Sequence, residues 1–382
     1  MRGPEDLLGW RSEFPAVERT VFLGVHTLAP LSRRARAAVD RFLDAWETKG
    51  SAELVWFEDI LPEMRRLEHL YATLIGAEDD EVALTPSVST GLSSLASCMK
   101  FTAERNEIVL SRREFPTDCH LWLAQSSRGG NVRWVDTMDA DEYIAAISDR
   151  TTVVSASRVS YLNGELLDAK RVVNAAHENR AFAIIDDYHG SGTVPLDVHA
   201  LGCDALVGGP LKYLLGGPGI AFVYVRRDVA PTLHPTITGW FSQANFFEFD
   251  NSAIVWPHTA QRLAIGTPSP ASIYAAAAGL EIVLEVGLDR IRERTQELID
   301  YTIALCDEKG FVTRTPREKE RRGGVLAIEV ADSKHILGEM LERKVVLDER
   351  HGALRLSPHF YTSEDDIDRF FELLIEAGGR PG

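Results

Sequence analysis

The sequence predicts an α/β protein with two parts: a large domain built on a mostly parallel seven-stranded sheet covered by helices, and a smaller α+β domain at the C-terminal end. With 382 residues, the chain is too long for one ordinary hydrophobic core, so two unequal domains are expected. Short apolar, β-branched runs alternate with helix-like segments, as is typical of parallel sheets with both faces covered. Beyond Thr267 this alternation gives way to a long helical stretch followed by further strands and helices.

The strands of the large domain are predicted from seven short runs rich in valine, isoleucine and other apolar residues. They span residues 81–85, 107–110, 131–135, 151–155, 181–186, 205–207 and 220–225. The last two runs are joined by a segment with no room for a helix, so this pair is expected to be an antiparallel excursion.

Helices are predicted between most of these strands and again in the C-terminal part. Those of the large domain span residues 87–100, 139–147 and 168–179. The C-terminal part begins with a helical stretch over 271–306 that is broken at Gly287, and it continues with strands at 325–330 and 353–356 and helices at 333–342 and 363–376. Ser363 and Asp366 have the spacing of a capping box at the start of the last helix.

These patterns divide the chain into an N-terminal arm (1–30), a large domain (31–270) and a small C-terminal domain (271–382). The segment before about residue 50 is expected to pack with the small domain or across a partner subunit. The charged run at 315–322 is interpreted as a solvated hairpin.

Composition excludes several classes of function. The net charge of −16 offers no basic surface for nucleic acid or for an anionic membrane. The N-terminus lacks the apolar core of a signal peptide, and the apolar stretch 271–286 is interrupted by Glu281 and Glu285, so it is interpreted as a buried helix. Cysteines and histidines show no metal-ligand or disulfide spacing, so we expect no metal, reduced thiols and a cytoplasmic location.

The most informative residues are a lysine and an acid. Asp186 ends the apolar run 181–186 and therefore lies at the carboxyl end of a predicted parallel strand, where open α/β sheets bind their ligands. Lys212 lies between glycine-rich turns and can reach the same crevice. An amine that holds a cofactor covalently, with a carboxylate on its far side, is what pyridoxal 5'-phosphate (PLP) requires. The plainer alternatives are a surface lysine and a helix-capping aspartate, and Asp187 competes for the acid's role on the opposite face of the strand.

A second candidate site lies at the start of the predicted helix 87–100. Ser89 and Thr90 follow a strand and open this helix, so their hydroxyls and the free backbone amides would form an anion site suited to the cofactor phosphate. An ordinary helix cap is equally compatible with these residues alone.

The chain resembles the kynureninase-like branch of the class V aminotransferase family, whose members are PLP enzymes of fold type I. The pattern Asp-x-x-His-x-x-Gly followed by Lys-x-Leu-x-Gly-Gly-Pro-Gly carries the resemblance, and further motifs follow in the family's order over nearly the whole chain. The motifs are 84–90 (LTPSVST), 114–118 (EFPTD), 186–192 (DDYHGSG), 212–219 (KYLLGGPG), 238–240 (TGW), 264–268 (AIGTP) and 354–358 (LRLSP).

The resemblance implies roles for the residues around the cofactor. Lys212 would form the Schiff base with PLP and then act as the base that removes the Cα proton. Asp186 would pair with the pyridine nitrogen, and Phe115 would stack on the ring. Asp118 and His189 would border the phenolic oxygen of the ring.

The resemblance also implies a substrate and an assembly. Arg355 would bind the carboxylate of an α-amino acid, because its planar fork of donors matches a carboxylate. Trp240 and Thr267 would reach the phosphate of the neighbouring subunit, which implies a homodimer with shared sites. A surface salt bridge for Arg355 and a core or interface aromatic for Trp240 are the alternatives.

The chain departs from the kynureninase pattern at three places. Leu211 stands where those enzymes carry a tyrosine before the lysine, and Arg158 stands where relatives usually have histidine. The N-terminal substrate loop is replaced by residues 25–29, in which His26 and Thr27 are candidate substrate contacts. Kynurenine is therefore a doubtful substrate. No cysteine follows Cys306, so the persulfide chemistry of cysteine desulfurases is not expected.

The sequence thus predicts a PLP-dependent enzyme that acts on an α-amino acid through an external aldimine. The first hypothesis is a lyase that cleaves at Cβ, for example the C–S bond of a cysteine conjugate. Transamination is the second, and decarboxylative or oxidative deamination of a specialised metabolite is the third. The non-enzymatic alternative is a catalytically silent binding protein with the same fold.

Overall fold

A computed structural model of the chain describes residues 4–382. Its helices are α1 (Pro4–Leu8), α2 (Arg33–Lys49), α3 (Ala52–Leu54), α4 (Leu61–Ile75), α5 (Val88–Cys98), α6 (Pro116–Ala124), α7 (Ala140–Ala146), α8 (Ala169–Glu178), α9 (Val198–Leu201), α10 (Pro270–Val286), α11 (Leu288–Lys309), α12 (Ser333–Glu342) and α13 (Glu364–Glu376). A π-helical turn, Val55–Ile60, joins α3 to α4.

The strands are β1 (Val21–Phe22), β2 (Val82–Thr85), β3 (Glu107–Ser111), β4 (Asn131–Val135), β5 (Thr151–Ser157), β6 (Phe182–Asp186), β7 (Ala205–Gly208), β8 (Ala221–Val225), β9 (Leu326–Glu329), β10 (Val345–Val346), β11 (Asp348–Arg350) and β12 (Ala353–Leu356). All seven strands predicted for the large domain are present, with ends that differ by one or two residues.

The large domain is built on a seven-stranded sheet with the order β2-β8-β7-β6-β5-β3-β4. β8 is antiparallel to both of its neighbours, and the other pairs are parallel. The predicted antiparallel excursion between the last two strands is confirmed, and so is the mostly parallel α/β fold.

Alternation along the strands supplies two apolar faces. In β6, Ala183 and Ile185 belong to one hydrophobic cluster and Ile184 to another, because successive side chains point to opposite sides of the sheet. The helices α4, α8 and α10 cover the first face, while α5 and Trp122 of α6 cover the second. Both faces of the sheet are therefore buried under helices, as is usual for a parallel sheet.

The C-terminal part contains a separate antiparallel sheet, β11-β12-β9, with its own hydrophobic cluster. The N-terminal segment joins it: β1 pairs in parallel with β10, and Leu23 is buried in this cluster. Farther along, α2 packs instead in the large-domain cluster beside α10. The bounds 1–30, 31–270 and 271–382 remain predictions.

Two details of the C-terminal part bear on the predictions. The helical stretch breaks at Gly287, whose φ of +90° is costly for other residues, and the capping box of Ser363 and Asp366 is present.

Within residues 4–382, no single helix is long and apolar enough to cross a membrane; α10 and α11 meet that test only when joined, and they are bent by 80°.

The interpretation of 315–322 as a solvated hairpin was wrong for its last residue, Arg322. The Arg322 side chain is fully buried, donates a hydrogen bond to Gln296 Oε1 at 2.7 Å and forms an ion pair with Asp300. A charged side chain is tolerated inside because these α11 partners satisfy it, and a run of charges in the sequence does not reveal such partners.

Candidate active site

The principal candidate site is a cavity of about 420 Å³ at the carboxyl edge of the parallel strands. Residues that follow β5 and β6 form its floor, and the small domain and the N-terminal segment close it from the other side. Eight of the predicted site residues line it: His26, Thr27, Ser89, Phe115, Asp186, His189, Lys212 and Arg355. Parallel strands deliver their ends to one edge, which explains why residues far apart in sequence meet here.

Lys212 lies on the turn between β7 and β8, and its side chain is 9% exposed. Burial lowers its pKa to about 8, because the charged ammonium loses hydration. Its Nζ lies 2.6 Å from His189 Nε2, 5.6 Å from the centroid of the Phe115 ring and 4.7 Å from that of the Tyr188 ring. Burial also lowers the pKa of His189 well below its usual value, so its neutral ring accepts the hydrogen bond from the lysine.

Asp186 lies across the cavity in a group of buried acids. Burial raises its pKa to about 7, and the same cause raises the pKa values of Asp118 and Glu114 behind it. Asp118 does not line the cavity: it is 1% exposed and lies in the first turn of α6, where the nearby charge of Asp186 adds to the effect of burial in raising the pKa of Asp118. The role predicted for Asp118 beside the ring oxygen therefore finds no support in its position.

Of the two neighbouring acids, Asp186 lines the cavity and Asp187 does not. Asp187 points away from the cavity and forms a fully buried ion pair with Arg158, with Nε and Oδ1 2.5 Å apart. Arg158 also donates to the carbonyl of Val194 at 2.7 Å. This arginine therefore joins the ends of β5 and β6 and takes no part in the cavity wall, which is formed by its neighbours Ser157 and Val159.

The start of α5 forms a polar corner of the cavity. Ser87 caps the helix by accepting from the Thr90 backbone amide at 3.2 Å, and its hydroxyl also bonds to that of Thr90 at 2.9 Å. Ser89 instead faces the cavity and meets the Thr117 hydroxyl at 3.1 Å. Hydroxyls beside the free amides of a helix N-terminus suit a phosphate. Of the predicted pair, only Ser89 lines the cavity.

Arg355 lies opposite this corner, on β12. Its side chain is 3% exposed, lines the cavity and is paired with Asp348 of the adjacent strand β11. The side chain of Arg350 lines the same end. A buried guanidinium at the cavity wall has the chemistry expected for binding a carboxylate.

Trp240 and Thr267 do not reach this cavity. Trp240 is 37% exposed and belongs to a cluster with Phe246, Phe247 and Phe249, while Thr267 lies exposed in a loop. Their predicted contact with a neighbouring subunit's phosphate remains a prediction.

Comparison with known proteins identifies the family. The pattern described as Aminotransferase class-V matches residues 30–370. The chain belongs to the class-V aminotransferase family. It is 31% identical to YcbU, an uncharacterized aminotransferase of Bacillus subtilis, with 94% of each chain covered. It is also 28% identical to the kynureninase of Geobacillus thermodenitrificans, with 95% of this chain and 89% of the relative covered.

The fold is also found among solved structures. The complex of the cystine C-S lyase C-DES with cysteine persulfide superposes with a TM-score of 0.87 at 17% identity, covering 96% of this chain and all (100%) of that one. The prediction of a kynureninase-like class V enzyme with PLP fold type I is confirmed, and the protein is a PLP-dependent enzyme.

The residues of the cavity fit PLP. Among residues 4–382, Lys212 is the cation whose charge acts on the buried Asp186 carboxyl, and a protonated pyridine nitrogen would supply a second one. Phe115 is 43% exposed and lines the cavity next to Lys212, so part of this residue is accessible to an aromatic cofactor. Within the described part of the chain, the buried Nδ1 of His189 and Oδ2 of Asp118 have no hydrogen-bond partner. Lys212, Asp186, Phe115 and Ser89 would hold the group.

Several residues of the cavity and its support were not predicted from the sequence, among them Thr117, Tyr161, Tyr188, Asp348 and Arg350. Thr117 and Tyr188 lie inside the motifs 114–118 and 186–192, so the predicted site residues next to them in the sequence could have indicated that they line the cavity. Asp348 and Arg350 precede Arg355 by a few residues, but only the pairing of β11 with β12 brings them to the cavity.

The described cysteines lie outside the cavity wall. Burial raises the pKa of Cys119 to about 11 and that of Cys306 to about 12, so both stay protonated near neutral pH. Cys306 is also buried in the small-domain cluster. Neither thiol is placed to attack a substrate.

Proposed function

We propose that this PLP-dependent enzyme is a lyase that binds an α-amino acid and cleaves a bond at its Cβ, such as the C–S bond of a cysteine conjugate. The observation that carries the proposal is that Lys212, Asp186 and Arg355 line one cavity. An amine, an acid for the cofactor nitrogen and a cation for a carboxylate are the groups that amino acid chemistry on PLP needs.

Each of these side chains has a task that follows from its surroundings. The Arg355 guanidinium binds the α-carboxylate and so fixes one end of the substrate. The Lys212 amine, with a pKa lowered to about 8, accepts the Cα proton near neutral pH. PLP supplies the electron sink for the charge left on Cα. The group bonded to Cβ would then leave with the electrons of its bond, while the charge on Cα would form a double bond to Cβ.

Cleavage at Cβ is supported by the relatives. Kynureninase and a cystine C-S lyase are among the proteins that this chain resembles in sequence and in fold, respectively. Leu211 replaces the kynureninase tyrosine, and His26 and Thr27 replace its substrate loop, which argues against kynurenine itself. The walls near Lys212 include Phe115, Tyr161 and Leu211, so they suit an apolar side chain or thioether.

Transamination is the second candidate. The 31% identity to an aminotransferase of Bacillus subtilis favours it, and the same lysine would return the proton to the cofactor in place of substrate cleavage. The residues of the cavity are compatible with both outcomes.

Borohydride reduction of the purified protein, followed by peptide mapping, tests the common basis of both candidates. We expect a pyridoxyl group on Lys212 and none in Lys212→Ala. The exposed Lys334→Ala variant is the control and should be labelled at Lys212 like the wild type. A pyridoxyl group on another lysine, or none at all, would contradict the proposal.

Incubation of the holoenzyme with a panel of amino acids and no keto acid separates the two reactions. Catalytic release of ammonia and a keto acid is expected for a lyase. A single stoichiometric conversion of the cofactor to its amine form would instead establish the aminotransferase.

Arg355→Ala should mainly weaken amino acid binding, raising KM by about tenfold or more because a charge-assisted contact is lost, with a smaller effect on kcat. The matched control is Arg369→Ala, since Arg369 is half-exposed on α13 and forms a surface ion pair with Glu372. An unchanged KM would refute the carboxylate role of Arg355.

The assembly that we propose is a homodimer in which Trp240 and Thr267 approach the partner's phosphate site. Support comes from the exposed aromatic cluster around Trp240, an unusual feature for a surface in contact only with water. A cytoplasmic location is proposed with it.

A further inference from the structure

The substrate end of the cavity contains a buried network of His26, Asp348, Arg355 and Ser357. We propose that Asp348 is a positioning residue that holds the Arg355 guanidinium in the one orientation that presents its free N–H groups to the substrate α-carboxylate. This inference rests on the proposed carboxylate role of Arg355, and it extends that role to residues that do not touch the substrate.

The pairing of two strands builds the contact between Asp348 and Arg355. These residues are direct partners in the antiparallel register of β11 and β12. Directly opposed residues project from the same face with their Cβ atoms about 5 Å apart. The register of the hairpin therefore places the Asp348 carboxylate beside the Arg355 guanidinium.

The hydrogen bonds of Arg355 leave a defined set of donors. Nε donates to Asp348 Oδ1 at 2.8 Å, Nη2 donates to Asp348 Oδ2, and Nη1 donates to the Tyr161 carbonyl. A guanidinium has five N–H groups. Two of them, one on each terminal nitrogen, therefore have no acceptor within the described residues. A carboxylate that accepts from both terminal nitrogens would be held at two points.

His26 holds Asp348 from the other side. Its Nε2 lies 2.8 Å from Asp348 Oδ1, and its Nδ1 lies 2.6 Å from Ser357 Oγ. Burial lowers the pKa of His26 to about 4, while the His26 and Arg355 contacts hold the pKa of Asp348 well below its usual value. The neutral ring must therefore donate through Nε2–H to the ionised carboxylate and accept from the Ser357 hydroxyl.

This arrangement changes the interpretation of His26. Both ring nitrogens are engaged inside the protein, and the side chain is buried, so His26 has no free nitrogen for the substrate. Its effect on the substrate passes through Asp348 and Arg355. Arg350 lies 3.3 Å from Asp348 Oδ2, so the carboxylate also neutralises a second guanidinium at this end of the cavity.

The test compares two ligands that differ only at the carboxyl group, L-alanine and L-alaninamide. Their dissociation constants are measured on the PLP-loaded protein from the absorbance of the bound cofactor. The ratio of the two constants reports carboxylate recognition, and differences in amine basicity cancel because the same pair is used for every variant.

In Asp348→Asn, the preference for L-alanine over L-alaninamide should fall by about tenfold or more, because a misplaced binding group loses its aligned contacts. The control is Asp365→Asn, since Asp365 is exposed in the first turn of α13; its preference should equal that of the wild type. A general structural defect would weaken both ligands by the same factor, and that outcome overturns the proposal. So does a rise in the preference, since it would mean that Asp348 competes with the substrate carboxylate.

If Asp348→Asn does not fold, a second pair of variants tests the proposal in its place. His26→Ala should lower the preference, and His26→Gln should restore part of it, because a glutamine amide can still donate to Asp348. Equal preferences in the wild type, His26→Ala and His26→Gln would overturn the proposal. Failure of the proposed function looks different: wild-type protein would then respond to neither ligand and carry no pyridoxyl group on Lys212.

Discussion

At the scale of single residues, burial determines the chemistry of the cavity. Lys212 and Asp186 are charged types placed where water is scarce, so each loses part of its preference for the charged form. More of the lysine is then in the neutral form that can accept a proton near neutral pH, and the acid needs a cation opposite it to stay ionised. Neither effect is visible in the residue types, since the same pair on a surface would have ordinary pKa values.

The lowered pKa of Lys212 predicts how PLP uptake depends on pH. Only the neutral amine attacks the cofactor, and a pKa of about 8 in place of 10.5 makes that form abundant at lower pH. The rate of PLP uptake by the apoprotein, followed by absorbance from pH 6 to 10, should therefore increase with pH, reach half of its maximum at a pH of about 8, and level off above that pH. Lys212→Ala provides the background rate. A midpoint near that of an ordinary lysine would contradict the burial argument.

At the scale of elements, the ends of neighbouring parallel strands supply the site and are tied together beneath it. Arg158 follows β5, Asp187 follows β6, and their buried ion pair lies on the side of the strands away from the cavity. Asp186 is next to this ion pair in the chain, and its backbone carbonyl accepts a hydrogen bond from the Arg158 amide at 2.8 Å. The ion pair thus supports the site without belonging to it.

Arg158→Ala should lower the free energy of unfolding by about 3–5 kcal/mol, because it leaves the fully buried Asp187 without its partner. Urea denaturation of the apoprotein measures the change. Arg171→Ala is the matched control: Arg171 is half-exposed and pairs with the exposed Asp141, so its loss should cost no more than about 1 kcal/mol. Similar losses for the two variants would show that burial of the pair is not what matters.

At the scale of the whole molecule, one surface region is unusually aromatic. Trp240 and Phe249 stack with their centroids 6.0 Å apart, Phe57 contacts Phe247, and Phe249 is 68% exposed. Contiguous apolar surface of this kind is typical of protein interfaces. It is the physical basis for the proposed homodimer.

Phe249→Asp should shift the protein from dimer to monomer, because a charge in an apolar contact loses its hydration without gaining a partner. Sedimentation equilibrium measures the mass. Leu341→Asp is the control, since Leu341 is a half-exposed apolar residue on α12, far along the chain in the small domain. If the wild type is a monomer, or if Phe249→Asp keeps the wild-type mass, the proposed interface is wrong.

Prediction from the sequence succeeded where neighbouring residues determine the outcome. The alternation of apolar runs and helical patterns located the strands of the large sheet, and the Ser363 capping box and the Gly287 break marked helix ends. Local patterns also placed Asp186 at the carboxyl end of a parallel strand, Ser89 at a helix start and Lys212 between glycine-rich turns, and all three line the cavity. The place of Phe115 came from the resemblance to the family.

Contacts between distant segments required the tertiary structure. Asp118 was assigned to the cavity and lies behind Asp186, and Arg322 was assigned to solvent and is buried. His26 and Asp348 are separated by more than three hundred positions and yet share a hydrogen bond at 2.8 Å. Local periodicity shows which side of a strand or helix a residue occupies, but the partner on that side is chosen by how separate elements pack, and this is why the acid group and the Asp348 network emerged only from the folded chain.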